Sequence, residues 1–136
     1  MPRYRLIMPT LLGLCLATPT VAADAPPATF DGAYSGSMTQ ASSGLNSAYT
    51  GPDCITERPA AMVIRQGYVF LSYRDWHRHR IHYRGRVNAD GTVNAYHRNR
   101  DGSWSPLTGN ISGNQLTAQI QRDNGKCNYT VTLTKG

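Results

Sequence analysis

The stretch LTGNISGNQLTAQI, residues 107–120, constrains the fold more than any other. It alternates apolar or small residues with polar ones about a Gly113-Asn114 turn signal. A two-residue turn there sets Ile111 opposite Leu116, Gly109 opposite Ala118 and Leu107 opposite Ile120 on one face. Thr108, Asn110, Ser112, Gln115, Thr117 and Gln119 take the other face, so one side is dry and one wet. The next turn signal is Asn124-Gly125. Its register pairs Arg122 with Cys127, Ile120 with Tyr129, Ala118 with Val131 and Leu116 with Leu133, which continues the dry face across three strands.

The same rhythm runs upstream. MVIRQGYVFL turns at Gln66-Gly67, placing Ile64 against Val69 and Met62 against Leu71, with Val63 and Phe70 as an apolar pair on the wet face. A three-residue loop at Ala89-Asp90-Gly91, with Gly91 left-handed, pairs Val87 with Val93, Gly85 with Ala95 and Tyr83 with His97. No stretch beyond the N-terminal segment shows helical periodicity. The reading is all-β, with eight strands near 30–39, 57–65, 68–75, 80–88, 92–99, 105–112, 115–122 and 127–135. Consecutive hairpins make an antiparallel up-and-down meander, and closure into a small barrel hides its edges.

Residues 1–23 have the layout of a secretory signal: Arg3 and Arg5, the apolar run Leu6–Ala17, then Val21-Ala22-Ala23. Residues 24–136 form a single domain. Cys54 and Cys127 lie in it, and an even cysteine count in an exported domain of this size favours one disulfide. Closing the meander brings both sulfurs to one rim, since Cys127 begins the last strand and Cys54 precedes the second, although a two-sheet sandwich would also allow them to meet. The chain-entropy model values such a loop at roughly 4 kcal/mol. The compartment expected is periplasmic or secreted. The segment 40–53, rich in Ser, Gly and Asn, is read as a long surface loop, either idle or a lid or partner-binding loop.

The formal net charge is +6, and it is concentrated. Residues 74–100 hold seven arginines and all four histidines against only Asp75 and Asp90. WHRHRIHYRGR, residues 76–86, carries four arginines and three histidines with no acid. Strand parity puts His77, His79, Ile81, Tyr83 and Val87 on the inner face and Arg78, Arg80, His82, Arg84 and Arg86 on the outer one. The hairpin register then sets Arg86 opposite Asn94, Arg84 opposite Tyr96, His82 opposite Arg98 and Arg80 opposite Arg100. Like charges directly opposite destabilise a sheet, and a surface made only for solubility mixes signs. Arg78, Arg80, His82, Arg84, Arg86 and Arg98 are therefore the candidate anion-binding residues, with Trp76, Tyr96 and Trp104 available to stack on guanidinium planes. The competing reading is a solvated basic face.

Other chemistry finds little support. His77-x-His79 supplies two imidazoles where zinc needs three or four ligands, so neither a metal nor another cofactor is expected. No nucleophile elbow, zinc-protease motif or phosphate loop occurs, so no enzyme is expected. No nucleic-acid recognition motif is present.

FDGAYSG at 30–36 and CNYTVTLTK at 127–135 carry a resemblance. The chain is similar to a group of short, uncharacterised exported bacterial proteins. These start F-D-G-x-Y-x-G and end C-x-Y-x-[VL]-x-L-x-[KR]. The resemblance implies an exported β-meander and no particular activity. In architecture the chain also resembles avidin-like and metalloprotease-inhibitor barrels, without a match to their binding residues. The leading expectation is a non-catalytic binding protein for an anionic polymer, lipid headgroup or acidic protein. Its rivals are a small-ligand carrier at the barrel mouth and an inhibitor of an exported enzyme using the 40–53 loop. Bulky interior residues, among them Tyr34, Met38, Met62, Tyr83 and Leu107, imply a filled lumen.

Overall fold

A computed structural model describes residues 28–41, 54–122 and 127–136. The expected signal segment, residues 42–53 of the long loop and the Asn124-Gly125 turn lie outside the described residues. Eight strands run in chain order: β1 (Gly32–Gln40), β2 (Glu57–Arg65), β3 (Tyr68–Arg74), β4 (Arg80–Val87), β5 (Thr92–Arg98), β6 (Trp104–Ser112), β7 (Gln115–Arg122) and β8 (Cys127–Lys135). Each pairs antiparallel with the next, and β8 pairs with β1 to close the barrel.

The hairpin registers follow the wet–dry alternation. Ile111 meets Leu116, Leu107 meets Ile120, Ile120 meets Tyr129 and Arg122 meets Cys127. Met62 meets Leu71 and Val87 meets Val93. The dry face is the lumen: Leu71, Tyr83, Leu107, Ile120 and Leu133 are each 0% exposed. A small barrel also needs places where its walls close in. Gly85 is one, because a Cβ there would run into the Asn94 carbonyl and lie 2.5 Å from Ala95 Cα. Cys54 and Cys127 meet at one rim with Cα atoms 5.6 Å apart and form a disulfide.

Two expectations are corrected. The first strand begins at Gly32, because Asp31 instead caps the β2–β3 turn. Its carboxylate accepts from Gln66 N at 2.8 Å and Gly67 N at 3.2 Å. Phe30 accordingly packs against the core only partly buried. The second correction concerns the β4–β5 ladder, which stops at Arg84–Tyr96. The rungs expected between Tyr83 and His97, His82 and Arg98, and Arg80 and Arg100 do not form. The His97 ring occupies the gap, with Nδ1 2.9 Å from the His82 carbonyl.

Three connections share one loop geometry. Backbone bonds join Asp75 N to His79 O (2.9 Å), Asn88 N to Thr92 O (2.8 Å) and Asn99 N to Ser103 O (2.8 Å). The fourth residue of each loop is left-handed: Gly91 (φ 89°), Gly102 (φ 86°) and, in the first loop, Arg78 (φ 62°). Glycine takes that conformation without a Cβ penalty, whereas arginine pays one.

Candidate functional site

The outer wall of β3–β6 is built by parity from apolar-in strands. On β3, Val69, Leu71 and Tyr73 point inward, which turns Tyr68, Phe70, Ser72 and Arg74 outward. On β4, Ile81, Tyr83 and Val87 are buried, which turns Arg80, His82, Arg84 and Arg86 outward. The register makes columns of them: Tyr68 faces Arg86, Phe70 faces Arg84, Ser72 faces His82 and Arg74 faces Arg80. On the far side Arg84 faces Tyr96 and Arg86 faces Asn94, while Arg98 faces Trp104 on β6.

Rings and guanidinium groups pair within these columns. The Arg86 guanidinium lies 4.9 Å from the Tyr68 ring centroid, and its Nη2 donates to the Tyr68 hydroxyl at 3.2 Å. Arg84 stands 5.6 Å over Phe70 and Arg98 stands 5.4 Å over Trp104. The His82 ring stacks on Phe70 at 5.0 Å, and its buried Nδ1 has no hydrogen-bond partner. Tyr96 meets Trp104 edge to face at 6.4 Å. Such exposed cation–π contacts contribute about 0.5–1 kcal/mol each and hold the long side chains in place. Among the described residues, the one side-chain pair at ion-pairing distance is His79 with Asp75, at 3.8 Å. Among the described residues, the guanidinium groups of Arg78, Arg80, Arg84, Arg86 and Arg98 therefore have no carboxylate within pairing distance.

Five of the six sequence-expected residues sit on or beside this wall as parity places them. Arg98 joins through Trp104 rather than through a β4 rung. Arg78 sits in the β3–β4 loop, where its carbonyl accepts from Arg74 Nη1 at 2.9 Å. His77 and His79 belong to that loop too, with ring centroids 5.9 Å apart. Sequence reasoning missed Tyr68, Phe70 and Arg74, although Val63 and Phe70 had already stood out as an apolar pair on the wet face. The exposed large apolar side chains among the described residues are Tyr68, Phe70, Trp76, Tyr96 and Trp104, all on this wall or its loop. A groove of about 680 Å³ runs between Val63, Arg65, Phe70 and Arg84.

A second polar group lies inside the disulfide-bearing rim. Arg122 occupies an inward position on β7, and its Nη1 donates to the Tyr73 hydroxyl at 3.1 Å. Burial pushes the Tyr73 hydroxyl up to about 12, against the lowering effect of Arg122. Burial also raises Tyr83, whose ring contacts His97 at 5.7 Å. His97 is held below the usual imidazole value, first by burial and then by Arg122 and His82, with its bond to the His82 carbonyl acting the other way. The sequence signal for Arg122 was an arginine at a dry-parity position opposite Cys127. Among the described residues no three metal-ligating side chains converge.

No family model matches the chain, and comparisons with curated proteins and with solved structures find no match.

Proposed function

We propose that this is an exported, non-catalytic binding protein that holds an extended polyanion along the outer wall of β3–β6. One observation carries the reading: Arg84, Arg86 and Arg98 are braced by exposed rings and have no carboxylate partner among the described residues. Guanidinium forks match sulfate, phosphate or carboxylate groups spaced along a polymer. The exposed rings between them add contact area for the polymer's uncharged parts. Arg78 supports the same reading, because a left-handed arginine is a strained choice where two sibling loops use glycine. The disulfide agrees with an oxidising compartment.

Heparin tests this as a probe polyanion. The wild-type protein binds it at low salt, and Arg84→Ala/Arg86→Ala weakens binding at least about tenfold with the fold intact. Equal binding by the double variant reduces the wall to a solvated basic face.

A further inference from the structure

The barrel wall is split at the disulfide-bearing rim. Beyond the Arg84–Tyr96 rung, β4 stays paired to β3 through Arg80, and β5 stays paired to β6 through Arg98, but the two strands no longer pair with each other. His97 spans the seam. A carbonyl only accepts, so its Nδ1 carries the hydrogen that meets the His82 oxygen, and Nε2 is the ring's remaining polar atom. The seam opens a recess of about 520 Å³, within the range of small-ligand sites.

The recess is lined from three elements. The β3–β4 loop and the start of β4 supply His77, His79 and Arg80. The end of β5 and the loop after it supply His97 and Arg100. The last residue of β7 supplies Arg122, an inward-facing cation fixed on Tyr73. Among the described residues two carboxylates also line it, and both are engaged in their own loops. Asp75 accepts from His79 N at 2.8 Å, with His79 Nδ1 at 3.8 Å. Asp101 accepts from Ser103 N at 2.9 Å and Ser103 Oγ at 2.6 Å. Arg80 and Arg100 have no carboxylate partner among the described residues.

We infer that this seam is a second binding site, distinct from the Arg84–Arg86 part of the outer wall and sharing Arg80 with that wall, for the phosphate group of a small phosphorylated molecule. Donors arriving from three directions suit a tetrahedral oxyanion better than a flat carboxylate, which one guanidinium fork satisfies. The recess exceeds the size of a phosphate group, which leaves room for a small organic body.

The test is calorimetric titration of inorganic phosphate into the folded, oxidised protein at constant ionic strength, with acetate in parallel. Histidine side-chain NMR then locates the ion. One saturable phosphate site is expected, with the His97 and His79 signals moving and acetate binding at least about tenfold more weakly. Arg122→Gln should weaken phosphate about tenfold, and the exposed-lip variant Arg100→Ala several-fold. If Arg122→Gln does not fold, Arg100→Ala and His79→Ala decide. Arg84→Ala/Arg86→Ala should leave phosphate binding unchanged while impairing heparin binding, so the two readings fail separately. Absence of saturable phosphate binding overturns the site. So does binding that persists in the seam variants or is lost in the outer-wall pair. Acetate binding as tight as phosphate overturns the phosphate assignment.

Discussion

On β7, Gln115, Thr117 and Gln119 face Thr134, Thr132 and Thr130 of β8, and Ser35 and Ser37 of β1 continue the same wall. Across the barrel, Tyr68, Phe70 and Arg74 of β3 face Arg86, Arg84 and Arg80 of β4. The two walls share one lumen and one pairing pattern. Their outer rungs differ completely: one is neutral hydroxyl and amide, the other ring and guanidinium. The neutral wall meets water without an ionised group on these rungs. Charge is therefore not what keeps a wall of this barrel wet. On the arginine wall, Arg74 against Arg80 is a like-charge rung that weakens the sheet. A feature that costs stability and is not needed for solvation points to a partner.

The largest effects should not distinguish the walls at all. Leu71→Ala lies under the arginine wall and Leu133→Ala under the neutral one; both are fully buried. Each should cost about 2–5 kcal/mol by chemical denaturation. If only one is destabilising, the shared-core picture breaks. Cys54→Ala/Cys127→Ala should cost about 2–5 kcal/mol, with the oxidised protein gaining two hydrogens in intact mass on reduction.

Smaller effects should separate the walls. Arg78→Gly relieves a left-handed arginine and should raise stability by about 1 kcal/mol, while weakening heparin binding several-fold. A stabilised variant with unchanged binding removes Arg78 from the site. The smallest effect is a pH slope from His97. Its folded value lies below 6.5, so the folded state resists the proton that the unfolded chain accepts. Stability should therefore fall as pH drops through about 6.5 and level off below the folded value. Arg122, His82 and Tyr83 are the groups around that ring. His97→Gln should flatten this slope in a urea series at several pH values. An unchanged slope assigns it to another group.

Much of this architecture was legible in the sequence. Turn chemistry at Gln66-Gly67, Gly91 and Gly113-Asn114 sets registers locally, and apolar alternation then leaves one inward face. Barrel closure followed from the need to hide the edges of the meander, and the positions of Cys54 and Cys127 agreed with it. The arginine columns were legible for the same reason, since parity fixes Arg80, Arg84 and Arg86 once Ile81 and Tyr83 are inside. The seam was not legible. Extending the ladder from Val87–Val93 assumes every rung forms, and periodicity carries no sign that a histidine ring will bridge the gap instead. Partners from β3 were also missed, because the loop at 75–79 that joins β3 to β4 carries no Gly or Asn turn signal from which to set the register of these consecutive strands. Arg122 broke the dry pattern in plain view, yet its partner Tyr73 lies 49 residues away.

The most direct test of the central claim is the salt dependence of heparin affinity on matched variants of the two walls. Wild type and the neutral-wall variant Thr117→Ala/Thr132→Ala should share one steep slope of log Kd against log salt. Arg84→Ala/Arg86→Ala should bind more weakly with a slope shallower by roughly one to two, as expected when two cation–anion contacts are lost. Identical slopes for all three proteins, or a loss confined to the threonine variant, would contradict the account.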